Sequence, residues 1–106
     1  MENVFEMIVV FVNDGFSDVV MDAARKEGAN GGTVMNCRGT ANKEIEEKYG
    51  IGISEDKDMV LIIVPKEIKD KVIKSINENA GLKTDKHGII FSLPISDAEG
   101  LNYNEK

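Results

Sequence analysis

The sequence predicts an α+β sandwich, a four-stranded antiparallel sheet with two helices on one face, and three observations carry that prediction. Strand-length apolar runs and helix-period apolar stripes follow one another as βαβ and then βαβ again. A polar, glycine-punctuated stretch of roughly twenty residues separates the two units, far longer than the few residues that join neighbouring elements in a compact domain. The least polar run, Met59–Val64, has no polar alternate positions, so both faces of that strand must be covered.

The elements follow in order. Val4–Val12 is rich in Val, Ile and Phe and reads as a buried strand, ended by the turn signal Asn13-Asp14-Gly15. Phe16–Glu27 reads as a helix: Phe16, Val20, Ala23 and Ala24 share a face, Asp14 or Ser17 is a candidate N-cap, and Gly28 stands where a positive φ is wanted after the last turn. Gly31-Gly32 opens a second strand, Thr33–Cys37. After the long stretch, which includes a short helical pattern over Asn42–Lys48, comes the central strand Met59–Val64. Pro65 stops that strand and suits the first turn of a helix, Lys66–Asn79, whose apolar stripe is Ile68, Val72, Ile73 and Ile76. Gly81 ends the helix, Lys83–His87 is a polar loop, and Gly88–Leu93 is the fourth strand. Right-handed crossovers then give the split βαβ, or ferredoxin-like, arrangement βαββαβ. Met7, Met35, Met59, Phe5, Phe11 and Phe91 are core candidates. The helix-free face of the sheet is too apolar for water, so it is expected to be buried against copies of the same chain in a closed ring.

At 106 residues the chain is one domain, residues 1–106, with a single modest core. A net charge of −6 argues against a duplex nucleic-acid partner, which needs a basic face. The single cysteine, Cys37, excludes an internal disulfide framework and a cysteine-cluster zinc site, and reads as a small apolar strand residue. No run reaches the length of a membrane span, and Met1-Glu2-Asn3 lacks the positive start of a signal peptide, so the chain is expected to be cytoplasmic and not inserted in a membrane.

The order of elements, the long loop in its place, Gly32-Thr33-Val34 leading to Arg38-Gly39, Leu61-Ile62-Ile63-Val64-Pro65 opening the second helix, and Gly88-Ile89-Ile90-Phe91 after a polar turn together resemble the PII family of signal-transduction proteins (nitrogen regulatory protein P-II), from Phe5 to Ile95. The resemblance implies a homotrimer with the bare sheet faces inward, and an effector, an adenine nucleotide such as ATP, ADP or AMP, bound between subunits. It also implies a long T-loop, here at about residues 39–58, that regulates a protein target, a membrane transporter or an enzyme of nitrogen or carbon metabolism. By position Lys83–Gly88 corresponds to the family's phosphate-facing B-loop and Ser96–Leu101 to its C-terminal loop. That B-loop typically reads Thr-Gly-x-x-Gly-Asp-Gly-Lys. Here only Gly88 remains of it, Ile89 stands in the lysine's place, and the arginines usual after the last strand are replaced by Pro94, Ser96, Asp97 and Glu99.

The chemistry available for a ligand lies in two clusters. Thr33, Arg38, Gly39 and Thr40 are read at the mouth of the second strand, where a guanidinium beside a glycine and a hydroxyl can bind a planar anion. Lys83, Thr84, Lys86, His87 and Gly88 form a second cluster, a turn able to present amides to an anion. The plainer alternative is a structural ion pair for Arg38 and solvated lysines. In the ring the two clusters are expected to meet, directly or across a subunit boundary. Lys43, Glu44, Glu47 and Tyr49 are expected to form the partner-binding part of the loop. Its acidic group Glu44, Glu46 and Glu47 lacks the spacing of calcium ligands, and no metal site is expected. His87, the sole histidine, reads as an exposed loop residue.

Other uses of the topology fit less well. An acylphosphatase-like enzyme needs an arginine where this chain has Asn13-Asp14-Gly15, an RNA-recognition module needs aromatics on the central strands, and a copper chaperone needs Cys-x-x-Cys in the first loop. No nucleophile–base pair or carboxylate dyad is visible, so no enzymatic role and no catalytic residue is expected. The alternative that shares fold and ring is a CutA-type trimeric metal-tolerance protein. Gly39, Gly50 and Gly52 favour the PII-like loop over its shorter, strand-like excursion.

Overall fold

In a computed structural model of the chain, which describes residues 4–40, 44, 47–48 and 56–101, the described elements are β1 (Phe5–Asn13), α1 (Ser17–Lys26), β2 (Thr33–Arg38), β3 (Asp56–Pro65), α2 (Lys66–Ala80) and β4 (Ile89–Pro94). The strands form one sheet in the spatial order β2-β3-β1-β4, every neighbouring pair antiparallel. This is the ferredoxin-like βαββαβ sandwich that the sequence predicts.

The two faces of the sheet follow from the period of two along β1 and β3. Ile8, Val10 and Val12 of β1 and Val60, Ile62 and Val64 of β3 point to the helix side, where they are fully buried with Val20 and Ala24 of α1 and Val72 and Ile76 of α2. Ser75 is the polar exception between the helices, and its Oγ donates to the Ala23 carbonyl at 2.8 Å.

The opposite face carries the other half of each strand. Directly paired residues share a face, so Met7, Val9 and Phe11 of β1 line up with Met59, Leu61 and Ile63 of β3, with Met35 and Cys37 of β2, and with Ile89, Phe91 and Leu93 of β4. Among the described residues no helix covers it: in the single chain Met35 is 41% exposed, Ile89 57%, Phe91 44% and Leu93 44%. Phe11 and Phe91 stack there diagonally, ring centroids 6.3 Å apart. Of the residues read as core candidates, Met35 and Phe91 are therefore exposed and Met7, Phe11 and Met59 half-buried. Sequence hydrophobicity reports that a residue avoids water without saying which side of the sheet supplies the cover.

Two boundaries differ instructively from the sequence reading, and one agrees with it. The N-cap position of α1 is Phe16, with no side-chain cap bond; neither Asp14 nor Ser17 fills it. The Asp58 carboxylate from β3 instead accepts from the Gly15 N–H at 3.0 Å, a tertiary contact that braces the turn leading into the helix. At its other end Gly28, at φ +106°, donates to Arg25 and Ala29 donates to Ala24, the Schellman pattern. Finally, β3 begins at Asp56, not Met59: Asp56, Lys57 and Asp58 pair with Arg38, Cys37 and Asn36, because a strand end at the rim of a sheet can extend its ladder with polar side chains.

Candidate functional site

One end of the sheet gathers the residues of interest. The C-terminal ends of β1 and β2 and the N-terminal ends of β3 and β4 all lie there, so Asn13, Arg38, Asp56–Asp58 and the turn before Ile89 share one rim. Gly39 and Thr40 continue from β2 beyond this rim, and Glu44, Glu47 and Lys48 farther along are helical and exposed. Those three agree with the short helix expected over residues 42–48; Lys43 and Tyr49 lie outside the described residues, as does Glu46.

The root of the long loop is bound to the turn between β1 and α1. Asn36 Nδ2 lies 3.1 Å from Asp14 Oδ1, 3.3 Å from the Lys57 carbonyl and 3.3 Å from Asp58 Oδ1, while Asp58 Oδ2 takes the Gly15 N–H. Asp58 is only 7% exposed, and these donors are what permit a buried carboxylate. On the bare-face side Lys57 Nζ donates to Asn13 Oδ1 at 2.8 Å. Burial lowers the Lys57 pKa, an effect opposed in part by the neighbouring Cys37, its cross-strand partner.

The turn from Gly81 to Gly88 is closed on itself. Thr84 N–H and Oγ–H both donate to the Gly81 carbonyl, Lys86 N–H donates to Thr84 Oγ, His87 N–H to the Thr84 carbonyl and Gly88 N–H to the Ala80 carbonyl. His87 holds φ 53°, a left-handed conformation for which Asn, Asp and His are favoured among non-glycine residues, and its Nδ1 lies 3.3 Å from the Leu82 carbonyl. A Cβ on Gly88 would overlap the Ala80 carbonyl oxygen. Lys86 Nζ bonds Asp85 at 2.8 Å and sits 5.6 Å from the Phe16 ring centroid. The Lys86 bond and charge together hold the Asp85 carboxyl below its ordinary pKa.

Placed on this frame, the expected ligand residues separate into three groups. Arg38, Gly39 and Thr40 stay together at the β2 edge of the rim, and Lys83, Thr84, Lys86, His87 and Gly88 sit by β4 at the other edge. Three strand spacings, roughly 14 Å, lie between those edges within one chain. Thr33 joins neither: it pairs with Leu61 at the far end of β2, roughly 17 Å along the strand from Arg38. The apparent closeness of Thr33 and Arg38 in sequence is undone by the extended backbone between them. The turn also differs from an anion cradle, since the amides of Thr84, Lys86, His87 and Gly88 are already bonded; Lys83 is exposed, while Lys86 is half-buried and paired with Asp85.

Sequence reading passed over Asn13, Asn36, Lys57 and Asp58. In sequence Asn13 reads as part of a turn signal and Lys57 and Asp58 as part of the polar loop; Asn36, a lone amide in a largely apolar strand, is the available clue. At the opposite end of the sheet the segment after β4 forms an open depression of about 320 Å³ lined by Val4, Phe5, Ile95, Asp97, Gly100 and Leu101. Asp97 is its one ionisable liner among the described residues, which makes it a poor seat for an anion. Among the described residues no group of three or more His, Cys, Asp or Glu is placed to hold a metal ion, and no helix is long and apolar enough to cross a membrane.

Comparison with known proteins agrees with this geometry. Residues 5–105 match the family described as Nitrogen regulatory protein P-II. The chain is 31% identical over 94 residues to the Nitrogen fixation nifHD1 region GlnB-like protein 1 of Methanosarcina barkeri, an alignment covering 88% of this chain and 90% of that protein. It is also similar to the crystal structure of Arabidopsis thaliana PII bound to citrate, with a TM-score of 0.69 and 27% identity over 98% of this chain and 86% of that one.

Proposed function

The chain belongs to the nitrogen regulatory protein P-II family, and from that premise we propose that it works as a trimeric signal-transduction regulator whose long loop reports the binding of a small anionic effector to a protein target. The observation that carries the reading is the continuous apolar sheet face, Met7, Val9, Phe11, Met59, Leu61 and Ile63 at its centre, with the loop root and the 81–88 turn on its rim. A soluble monomer rarely leaves so large an apolar surface to water, and a second and third copy of the same face are the natural cover.

Assembly also answers how the two cation clusters come to act together. Arg38 and the lysines of the turn occupy opposite edges of one sheet, so a site built from both spans a boundary between subunits. Arg38 supplies a planar, paired donor for a phosphate or carboxylate, and Lys83 and Lys86 supply charge. The effector is an adenine nucleotide, ATP, ADP or AMP, held more by these side chains than by backbone amides. The citrate bound by the Arabidopsis relative supports a small polyanion as the ligand class. Binding shifts the loop between conformations by its differential affinity for them, and one of these conformations docks on the target. Exposed Glu44 and Glu47 suit a target with basic residues at the contact, on a membrane transporter or a metabolic enzyme of nitrogen or carbon, and make the complex weaken with salt. The role is regulatory rather than enzymatic, and the site of action cytoplasmic. Nothing in the comparisons favours a CutA-type metal-tolerance protein over this reading.

Calorimetric titration with ATP, ADP and AMP tests the effector. The expected result is saturable binding of at least one of them, weakened roughly tenfold or more in Arg38→Ala, the usual scale for a charged hydrogen bond. Failure of all three to bind, or binding indifferent to Arg38, contradicts the proposed site.

A further inference from the structure

We propose that Asn13 is a positioning residue that couples the root of the long loop to the 81–88 turn within a single subunit. Asn13 ends β1 directly opposite Lys57, the second residue of β3. Its Oδ1 accepts from Lys57 Nζ at 2.8 Å, its Nδ2 donates to the Asp85 carbonyl at 3.4 Å, and its main-chain N–H donates to the Lys86 carbonyl at 2.9 Å. Chemistry fixes the orientation of this amide: an amine on Lys57 that donates needs an oxygen facing it, and a carbonyl needs an N–H. One planar group therefore holds both sides, and turning it to release one partner releases the other.

Each partner is in turn tied to its own loop. Lys57 stands across from Cys37 and runs beside Gly39, the point where the chain leaves β2; a Cβ on Gly39 would lie 3.7 Å from Lys57 Cγ. On the other side, Asp85 and Lys86 pair through their side chains at 2.8 Å, and the Lys86 ammonium rests over Phe16 at the start of α1. Displacement of the loop root thus draws Lys57 from Asn13, and the freed amide loosens its hold on Asp85. The coupling lies inside one subunit and requires neither a particular effector nor assembly, so it stands or falls separately from the proposed function.

Amide hydrogen exchange measured by NMR on the full chain without ligand reads this link directly. Lys57→Met removes the donor while keeping side-chain length. It is expected to speed exchange of the Lys86 and His87 amides roughly 3- to 10-fold, although Lys57 touches neither. Lys74→Met, which removes an exposed helix charge of the same kind, leaves those rates unchanged. Asn13→Asp keeps an acceptor for Lys57 but has no donor for the Asp85 carbonyl; it raises the turn's exchange alone, and adding Lys57→Met then changes nothing further. Asn13→Ala gives the same non-additivity. Unchanged exchange at Lys86 and His87 in Lys57→Met, or an effect of Lys57→Met that persists in full with Asn13 replaced, overturns the proposal.

Discussion

Gly88 sits where a side chain has no room: its N–H donates to the Ala80 carbonyl at 2.7 Å, and a Cβ would overlap that same oxygen. Gly88→Ala is expected to destabilise the chain by about 2–4 kcal/mol in chemical denaturation, within the range of overpacking and lost backbone bonding. Gly39→Ala is the contrast, since a Cβ there meets only the flexible Lys57 side chain; its expected cost is under about 0.5 kcal/mol. Asp58→Ala leaves the Gly15 N–H and the Asn36 amide without their buried acceptor, and about 1–3 kcal/mol is the expected loss. Lys57 adds a dependence on pH. Burial lowers its folded pKa below 10.5, so the unfolded chain holds the proton more tightly, and the stability this residue contributes rises as pH climbs from the depressed value toward 10.5. Denaturation midpoints of the wild type and Lys57→Met are expected to diverge in the wild type's favour across that alkaline window; a constant difference contradicts the assignment. Little at this scale is legible from sequence. That Asp58 braces the turn before α1, where Asp14 reads as a candidate cap, depends on a contact between residues more than forty positions apart.

β3 shows how one element serves two environments. Val60, Ile62 and Val64 are fully buried under the helices, whereas Met59, Leu61 and Ile63 look out on the bare face. Neighbouring substitutions in this strand are therefore expected to part ways. Val60→Lys abolishes folding, because an unpaired ammonium in the core costs more than the domain's marginal stability. Leu61→Lys leaves a folded chain, with helical and strand signals in circular dichroism intact, but one that no longer assembles. Unfolding by both changes to the same degree contradicts the two-faced account. Sequence makes β3 legible as a strand apolar on both faces, and makes both helices legible from their apolar stripes, because periodicity is a local property. It did not place the strand's first three residues, since Asp56, Lys57 and Asp58 carry loop-like side chains on a ladder dictated by β2. Nor did it separate Thr33 from Arg38, a matter of strand geometry that a run of adjacent letters conceals.

At the scale of the whole molecule, the order βαβ, long loop, βαβ was sufficient for the ferredoxin-like sandwich, because right-handed crossovers leave few alternatives. The division of labour follows from that topology. One sheet face builds the core with α1 and α2, the other is apolar and bare, and one rim gathers Arg38, Lys57, Asn13 and the 81–88 turn. The proposed effector site rests on the bare face closing against two further copies, an arrangement that would set the Arg38 edge of one sheet beside the lysine-bearing edge of another. Sedimentation equilibrium of the purified chain at micromolar concentration tests this most directly. The expected mass is three times the 11.7 kDa of one chain, falling to a single chain in Leu61→Lys. A wild-type protein that sediments as a stable monomer contradicts the account.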